Sequence, residues 1–313
     1  MLQLNNITKS YGKFKAVDNL SFTAEEGKII GLIGPNGAGK STTIRLIMNI
    51  LQPNSGEILI NGHPYNDDDS DIIGYLPEER GLYKKQKVSD MLRYLGSLKG
   101  MTATDIETQI DFWLKRFGLS SWKDKKIDAL SKGMSQKIQF ISAIMHSPKI
   151  IFLDEPFSGL DPVSSDELLS VIKELKTQGR VILFSTHVME TAEIICDHII
   201  MINHGKKILD GTLQEIRRQY GSDTITIDCS GNHSFISEIE SVAGVTERGH
   251  ELNISFKPGT DAKSLMAEIV TKALTNNCSI SSIKVDEPSL HSIFVSIAAQ
   301  TDEKNTNQNT DKK

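Results

Sequence analysis

Residues 28–41 read Lys28-Ile-Ile-Gly-Leu-Ile33-Gly34-Pro35-Asn36-Gly37-Ala38-Gly39-Lys40-Ser41, and this stretch decides the fold. The apolar run at 28–33 has the character of a buried strand and ends in a glycine-rich loop. Residues 41–51 then read as a helix, with Ile44, Ile47 and Leu51 at helical spacing. Gly34 to Ser41 fits the phosphate-binding pattern GxxxxGK[ST] in the strand–loop–helix context it requires. Glycines let backbone N–H groups converge on an anion, and the helix N-terminus adds a favourable dipole. Gly34, Pro35, Asn36, Gly37, Ala38 and Gly39, with Thr42 just inside the helix, are therefore expected to cradle phosphates. Lys40 is placed to reach the β- and γ-phosphates, and the Ser41 hydroxyl to ligate Mg²⁺.

Working outward, Ile150-Ile-Phe-Leu-Asp154-Glu155-Pro156 is an apolar strand that ends in two carboxylates. In phosphate-loop enzymes such an element serves the metal side: Asp154 can hold Mg²⁺, and Glu155 can polarise an attacking water as a general base. Short strands are expected at 57–60, 72–75 and 181–185, with helices from Gly133 and at 163–178. Strands alternating with helices point to a parallel sheet covered on both faces. Residues 88–145 are almost wholly helical in pattern, so a helical insert is expected at about 84–145 beside that sheet.

After residue 220 the rhythm changes. Strand 224–228, helix 233–242, strands near 244–247 and 251–256, helix 261–274 and strand 278–284 give βαββαβ, the ferredoxin-like order. A last helix is expected after Asp286-Glu287-Pro288, with the proline at its first position. Leu290, Ile293, Phe294 and Ile297 form its apolar stripe. Residues 301–313 are polar, low in complexity and expected to be disordered. The expected organisation is thus 1–220, 221–300 and a 301–313 tail, in keeping with about 150 residues per domain for a chain of 313.

The charge supports the same division. Residues 221–300 carry 5 basic and 10 acidic side chains, whereas 1–220 carry 27 of each sign. That balance is no nucleic-acid footprint, which is normally a clear basic excess. Cys196, Cys229 and Cys278 lie far apart, with neither disulfide-framework nor zinc spacing, so a reducing compartment is expected. The N-terminal residues lack the pattern of a signal peptide. No stretch approaches the ~20 apolar residues of a membrane helix.

Taken together, residues 1–220 resemble the ATP-binding cassette (ABC) ATPases, and among them the subunits of bacterial sodium-export and multidrug-export systems. The motifs fall in the family's order. Tyr11, in YGKFKAV, resembles the aromatic that stacks on adenine. Leu130-Ser131-Lys132-Gly133-Met134 resembles the signature, Ser158-Gly159-Leu160-Asp161 the D-loop, and His187 the switch histidine at the γ-phosphate. Two departures stand out. Lys132 and Met134 replace a glycine and the glutamine of LSGGQ, and the Q-loop position carries Glu78, with Glu79 the alternative assignment one residue on. A carboxylate at that loop can still approach Mg²⁺.

The resemblance implies an α/β cassette with a mixed sheet and a helical subdomain, followed by a small α+β accessory domain. It implies ATP and Mg²⁺ as ligands, with Ser41, Asp154 and Glu78 on the metal and Glu155 and His187 in catalysis. Ser131 and Gly133 would serve ATP bound to a second subunit, and Asp161 would be the D-loop aspartate. The implied assembly is a homodimer in the ATP-bound state, cytoplasmic and peripheral on the inner face of the cell membrane. It would work with a separate multi-span permease and without nucleic acid, the insert and the Glu78–Tyr83 loop taking the coupling contacts. A soluble ABC ATPase uncoupled from transport is the competing reading, and a GTPase is disfavoured because no NKxD motif occurs. The accessory domain can regulate, dimerise or pad an interface, and no site is assigned to it.

Overall fold

A computed structural model describes residues 1–78, 81–220, 224–249, 251–257 and 259–297. The expected tail at 301–313 and the alternative Glu79 lie outside the described residues. The chain divides into two compact units, Met1–Leu213 and Gln214–Lys313.

The first unit opens with a hairpin of β1 (Leu2–Tyr11) and β2 (Phe14–Ala24), turned at Gly12 with φ 60°. With β4 (Ser55–Ile60) and β5 (His63–Pro64) it forms an antiparallel sheet in the order β2-β1-β4-β5. The central sheet uses β3 (Ile29–Ile33), β6 (Ile73–Leu76), β7 (Ile150–Asp154), β8 (Val181–Thr186), β9 (His198–Asn203) and β10 (Lys206–Gly211), ordered β10-β9-β3-β8-β7-β6. Five of these strands run parallel, and β10 closes the edge antiparallel to β9. Helix α1 (Lys40–Ile47) follows the phosphate loop and stops short of the expected residue 51, because Asn49 turns to φ 57°.

The expected insert is built from α2 (Val88–Leu98), α3 (Ala103–Arg116) and α4 (Lys132–Ile144). Thr102 and Ser131 cap α3 and α4 by accepting from the N–H groups of Asp105 and Met134. Helices α5 (Pro162–Thr177) and α6 (Met189–Ile195) complete this unit.

Strand β7 explains how the layers meet. All five of its residues are buried, and its side chains alternate between two cores. Ile151 and Leu153 join the core of the insert helices, with Ile110, Phe117, Ile138 and Phe140. Ile150 and Phe152 join the core under the antiparallel sheet, with Leu4, Leu20, Ile44 and Ile47. A fully apolar run is what a strand covered on both faces demands.

The second unit begins within α7 (Leu213–Gln219), whose Arg217 guanidinium pairs with Glu287 at 2.5 Å. It holds β11 (Thr224–Gly231), β12 (Val242–Arg248), β13 (Glu251–Phe256), α8 (Ala262–Thr275) and β14 (Cys278–Val285). The antiparallel order β12-β13-β11-β14 is that of the ferredoxin-like unit. The first expected helix, 233–242, is only a 3-10 turn at Ser234–Glu238; Phe235 and Ile236 bury there and the chain re-enters a strand at Val242. The last helix starts at residue 290, with Ser289 accepting from Ser292 N–H, so Pro288 precedes the cap rather than occupying the first turn. All three cysteines are free thiols. Among the described residues no helix is long and apolar enough to cross a membrane.

Candidate nucleotide site

The loop between β3 and α1 forms one wall of a cavity of about 380 Å³. Tyr11, Asn36, Gly37, Gly39, Lys40, Ser41, Thr42, Glu78, Asp154 and Glu155 all line it, together with Phe14 and Ala16. The backbone allows no side chain at two of the loop glycines. A Cβ on Gly34 would stand 2.1 Å from the Ile202 carbonyl oxygen, and one on Gly39 2.3 Å from that of Ala16. Gly39 also takes φ 110°, a conformation open to glycine, so the chain can turn sharply into α1. Lys40 folds back over the loop, its Nζ donating to the carbonyls of Gly34 (2.9 Å) and Pro35 (3.2 Å). Burial pulls the Lys40 ammonium below the usual lysine range, while Glu155, Asp154 and Glu78 act in the opposite sense.

Opposite the loop, β7 delivers Asp154 and Glu155. Parallel pairing sets Asp154 beside Ser185, whose hydroxyl donates to Asp154 Oδ1. Burial pushes the Asp154 carboxyl above the usual carboxylate range; hydrogen bonds from Ser185 and Ser41 oppose this, and the Glu155 charge adds to it. Glu155 departs from strand geometry with φ 48°, anchored by its N–H donating to the Ser185 carbonyl (3.1 Å). This turn aims its carboxylate at the end of β8. There Oε2 accepts from Thr186 Oγ1 (3.1 Å), and Oε1 accepts from the His187 backbone N–H (2.8 Å) and lies 2.6 Å from His187 Nδ1. A carboxylate offers about four lone-pair sites. Three donors leave one, on Oε2, for a water.

Tyr11, the residue expected to stack on adenine, has a second aromatic residue as its register partner. Tyr11 and Phe14 face each other across the β1–β2 turn, both about half exposed, and Lys9 Nζ sits 5.6 Å from the Tyr11 ring centroid. Glu78, at the end of the β6 loop, is exposed and reaches the cavity.

Of the expected residues, Gly34, Pro35 and Ala38 in the phosphate loop and His187 at the end of β8 do not line this cavity, and Ser131, Gly133 and Asp161 do not line it either. Ser131 caps α4; Asp161 caps α5, accepting from Ser164 N–H and Oγ (both 2.9 Å), bonds that hold its carboxyl below the usual range. A Cβ on Gly133 would lie 4.0 Å from Asp161 Oδ2, so these residues gather on a surface of their own. The Lys132 side chain extends over Gly159 there.

Sequence reasoning passed over several supporting groups. Ser185 and Thr186 read as ordinary strand residues, and only the β7–β8 pairing brings their hydroxyls to the two acids. Gln136 and Gln139 look like solvent-facing polar residues of a helix but are buried; their amides donate to the carbonyls of Pro156 (3.0 Å) and Pro77 (3.4 Å). Tyr75 on β6 is pushed up to about 12 by burial, with the Asp154 charge adding to the shift.

A phosphate loop opening a helix, an acid-ended parallel strand beside it and a separate antiparallel sheet define an ATP-binding cassette. Comparison with known proteins agrees. The ABC transporter family profile matches residues 17–158, and the "ATP-binding protein DrrA1-3-like, C-terminal domain" profile matches residues 211–298. The chain is 40% identical to the ABC transporter ATP-binding protein YhaQ of Bacillus subtilis, over 94% of this chain and 97% of that one. It is 32% identical to the linearmycin resistance ATP-binding protein LnrL of the same organism, over 96% and 99%. A solved ATP-binding subunit of an ABC transporter superposes with a TM-score of 0.67 at 33% identity, covering 71% of this chain and 93% of that one. The chain belongs to the ABC transporter ATP-binding proteins; it is an ATPase that serves as the ATP-binding subunit of such a transporter.

Proposed function

We propose that this chain is the motor of an exporter, acting at the inner face of the cell membrane with a separate multi-span permease. Two copies would close head to tail around two ATP molecules. The observation that carries the reading is the convergence of Lys40, Ser41, Asp154 and Glu155 on one cavity that a triphosphate can enter. The two-copy arrangement is supported by Ser131, Gly133 and Asp161 lying off that cavity, where a nucleotide held by a second chain can meet them. Export is supported by the similarity to a resistance protein over nearly the whole chain.

The donor set suits Mg²⁺, a hard cation that takes oxygen ligands. The Ser41 hydroxyl and the buried Asp154 carboxylate line the same cavity, and Glu78 offers a third oxygen group to it. When bound, the ion would neutralise charge on the β- and γ-phosphates. Lys40 exchanges the Gly34 and Pro35 carbonyls for phosphate oxygens, stronger acceptors for an ammonium. Glu155 uses its remaining lone pair to orient a water and take its proton. His187, with Nδ1–H held by Glu155, presents its exposed edge toward the γ-phosphate side. Tyr11 and Phe14 stack on the base. Positioning and charge neutralisation supply most of the catalysis in such a transfer.

The test is to capture the Glu155→Gln protein from gently solubilised native membranes in the presence of ATP and Mg²⁺. The expected outcome is one multi-span membrane protein in stoichiometric yield. Recovery of ribosomes, of DNA-repair proteins or of no partner would refute the transport reading.

A further inference from the structure

The balanced charge of the first 220 residues conceals a local excess. Two segments distant in sequence, 84–89 and 123–128, run antiparallel beside the insert helices. Asp128 N–H donates to the Lys84 carbonyl, Ile127 N–H to that of Gln86 and Val88 N–H to that of Lys125, each at 3.0 Å. Lys87 and Lys126 stand directly opposite one another. The pairing gathers Lys84, Lys85, Lys87, Lys125 and Lys126 into one exposed ribbon. Like charges set opposite across paired strands work against folding. None of the five has a carboxylate at ion-pairing distance among the described residues, whereas the neighbouring Lys123 is held by Asp111 (2.6 Å) and Glu107 (3.3 Å). Asp124 and Asp128 on the same segments leave the ribbon net positive.

Aromatic rings border the lysines. Tyr83 immediately precedes Lys84, and its ring meets that of Tyr94 edge-on at 6.5 Å; both tyrosines are about half exposed. Basic side chains beside amphipathic rings are the combination that suits a membrane surface, where headgroup charge attracts lysine and tyrosine sits at the polar–apolar boundary. A bilayer accepts cations at any spacing. A nucleic acid asks for a basic stripe along a longer track, and the cassette around the ribbon is balanced in charge.

We propose that this lysine ribbon, with Tyr83 and Tyr94, docks on the anionic phospholipid headgroups of a bilayer. The proposal rests on the reading of the chain as a membrane-associated motor, and it assigns the cassette a lipid contact of its own in addition to any permease contact.

The experiment is co-sedimentation of the full chain with vesicles of phosphatidylcholine, with and without phosphatidylglycerol. Binding is expected only to the phosphatidylglycerol vesicles and is expected to weaken with added salt as screening shortens. Each Lys→Gln change should lower partitioning about fivefold, and replacing all five more than about hundredfold. The five side chains are exposed, so the quintuple variant is expected to melt at or above the wild-type temperature; Lys85→Gln alone asks the same question on a smaller scale. Equal binding to both vesicle types, undiminished binding by the quintuple variant or no binding at all overturns the proposal. So does capture of duplex DNA without vesicle binding. The vesicles contain no permease, so their result is independent of the capture experiment that tests the transport reading.

Discussion

Thr186 offers a strict test of how Glu155 is held. Its buried hydroxyl donates to Glu155 Oε2 and accepts from the Val188 N–H (3.0 Å). Thr186→Val keeps the shape and removes both bonds. Loss of a hydrogen bond to a charged group costs about 1.5–3 kcal/mol. The Val188 N–H lies near the surface and can find water, so a net loss of about 2 kcal/mol is expected. For a unit of this size that lowers the melting temperature by roughly 4–8 °C. With one of its three donors gone, Glu155 is free to swing, and kcat is expected to fall about tenfold to hundredfold. Thr186 does not line the cavity, so the KM for ATP should hold. Thr186→Ser supplies the control: it keeps the hydroxyl, loses about 0.8 kcal/mol of methyl burial and should turn over near the wild-type rate. The assays are steady-state phosphate release and thermal melting on all three proteins. If Thr186→Ser proved as slow as Thr186→Val, packing of the methyl group and not the hydroxyl would matter, and the reasoning would fail.

Lys40→Ala removes the cation nearest the phosphates and is expected to weaken ATP binding at least about tenfold; calorimetry giving wild-type affinity would remove Lys40 from the site. Glu155→Gln is expected to slow hydrolysis by about 10²–10⁴ while preserving nucleotide binding, and to give an ATP-dependent dimer on size exclusion. A wild-type rate for this variant would take the base role from Glu155. Burial raises the Asp154 pKa above its unfolded value, so the stability linked to this group is fully present below the ordinary carboxylate range near 4. It is lost as pH rises through the raised folded value. Without nucleotide or metal, Asp154→Asn is therefore expected to melt higher than wild type at neutral pH, with the gap closing on acidification. A gap that stayed constant with pH would contradict the assigned cause.

The phosphate loop, the acid-ended strand and the strands and second helix of the C-terminal unit were legible because each is written in contiguous residues. The β1–β2 hairpin was not. Its register shifts between Leu4 and Ile7, and again on either side of Lys9, while Asn6 adopts φ 51°, so the period-two alternation that marks a strand is broken. In place of the helix expected at 233–242, a 3-10 turn at Ser234–Glu238 is enough to bury Phe235 and Ile236. The acids and Lys40 could be named from sequence. The groups that hold them could not, because Ser185, Thr186, Gln136 and Gln139 are common polar residues whose roles arise only once distant strands and helices pack. The lysine ribbon escaped for the same reason, its halves being some forty residues apart.

The two glutamines of α4 carry a mechanical consequence. Gln136 and Gln139 are three residues apart, about 4.5 Å along the helix axis, and each grips a carbonyl beside a carboxylate-bearing residue: Pro156 next to Glu155, Pro77 next to Glu78. The helix is a rack with two teeth. Sliding it by a single residue would disengage both, and tilting it would shift both acidic residues together, with Ser131 carried along at its end.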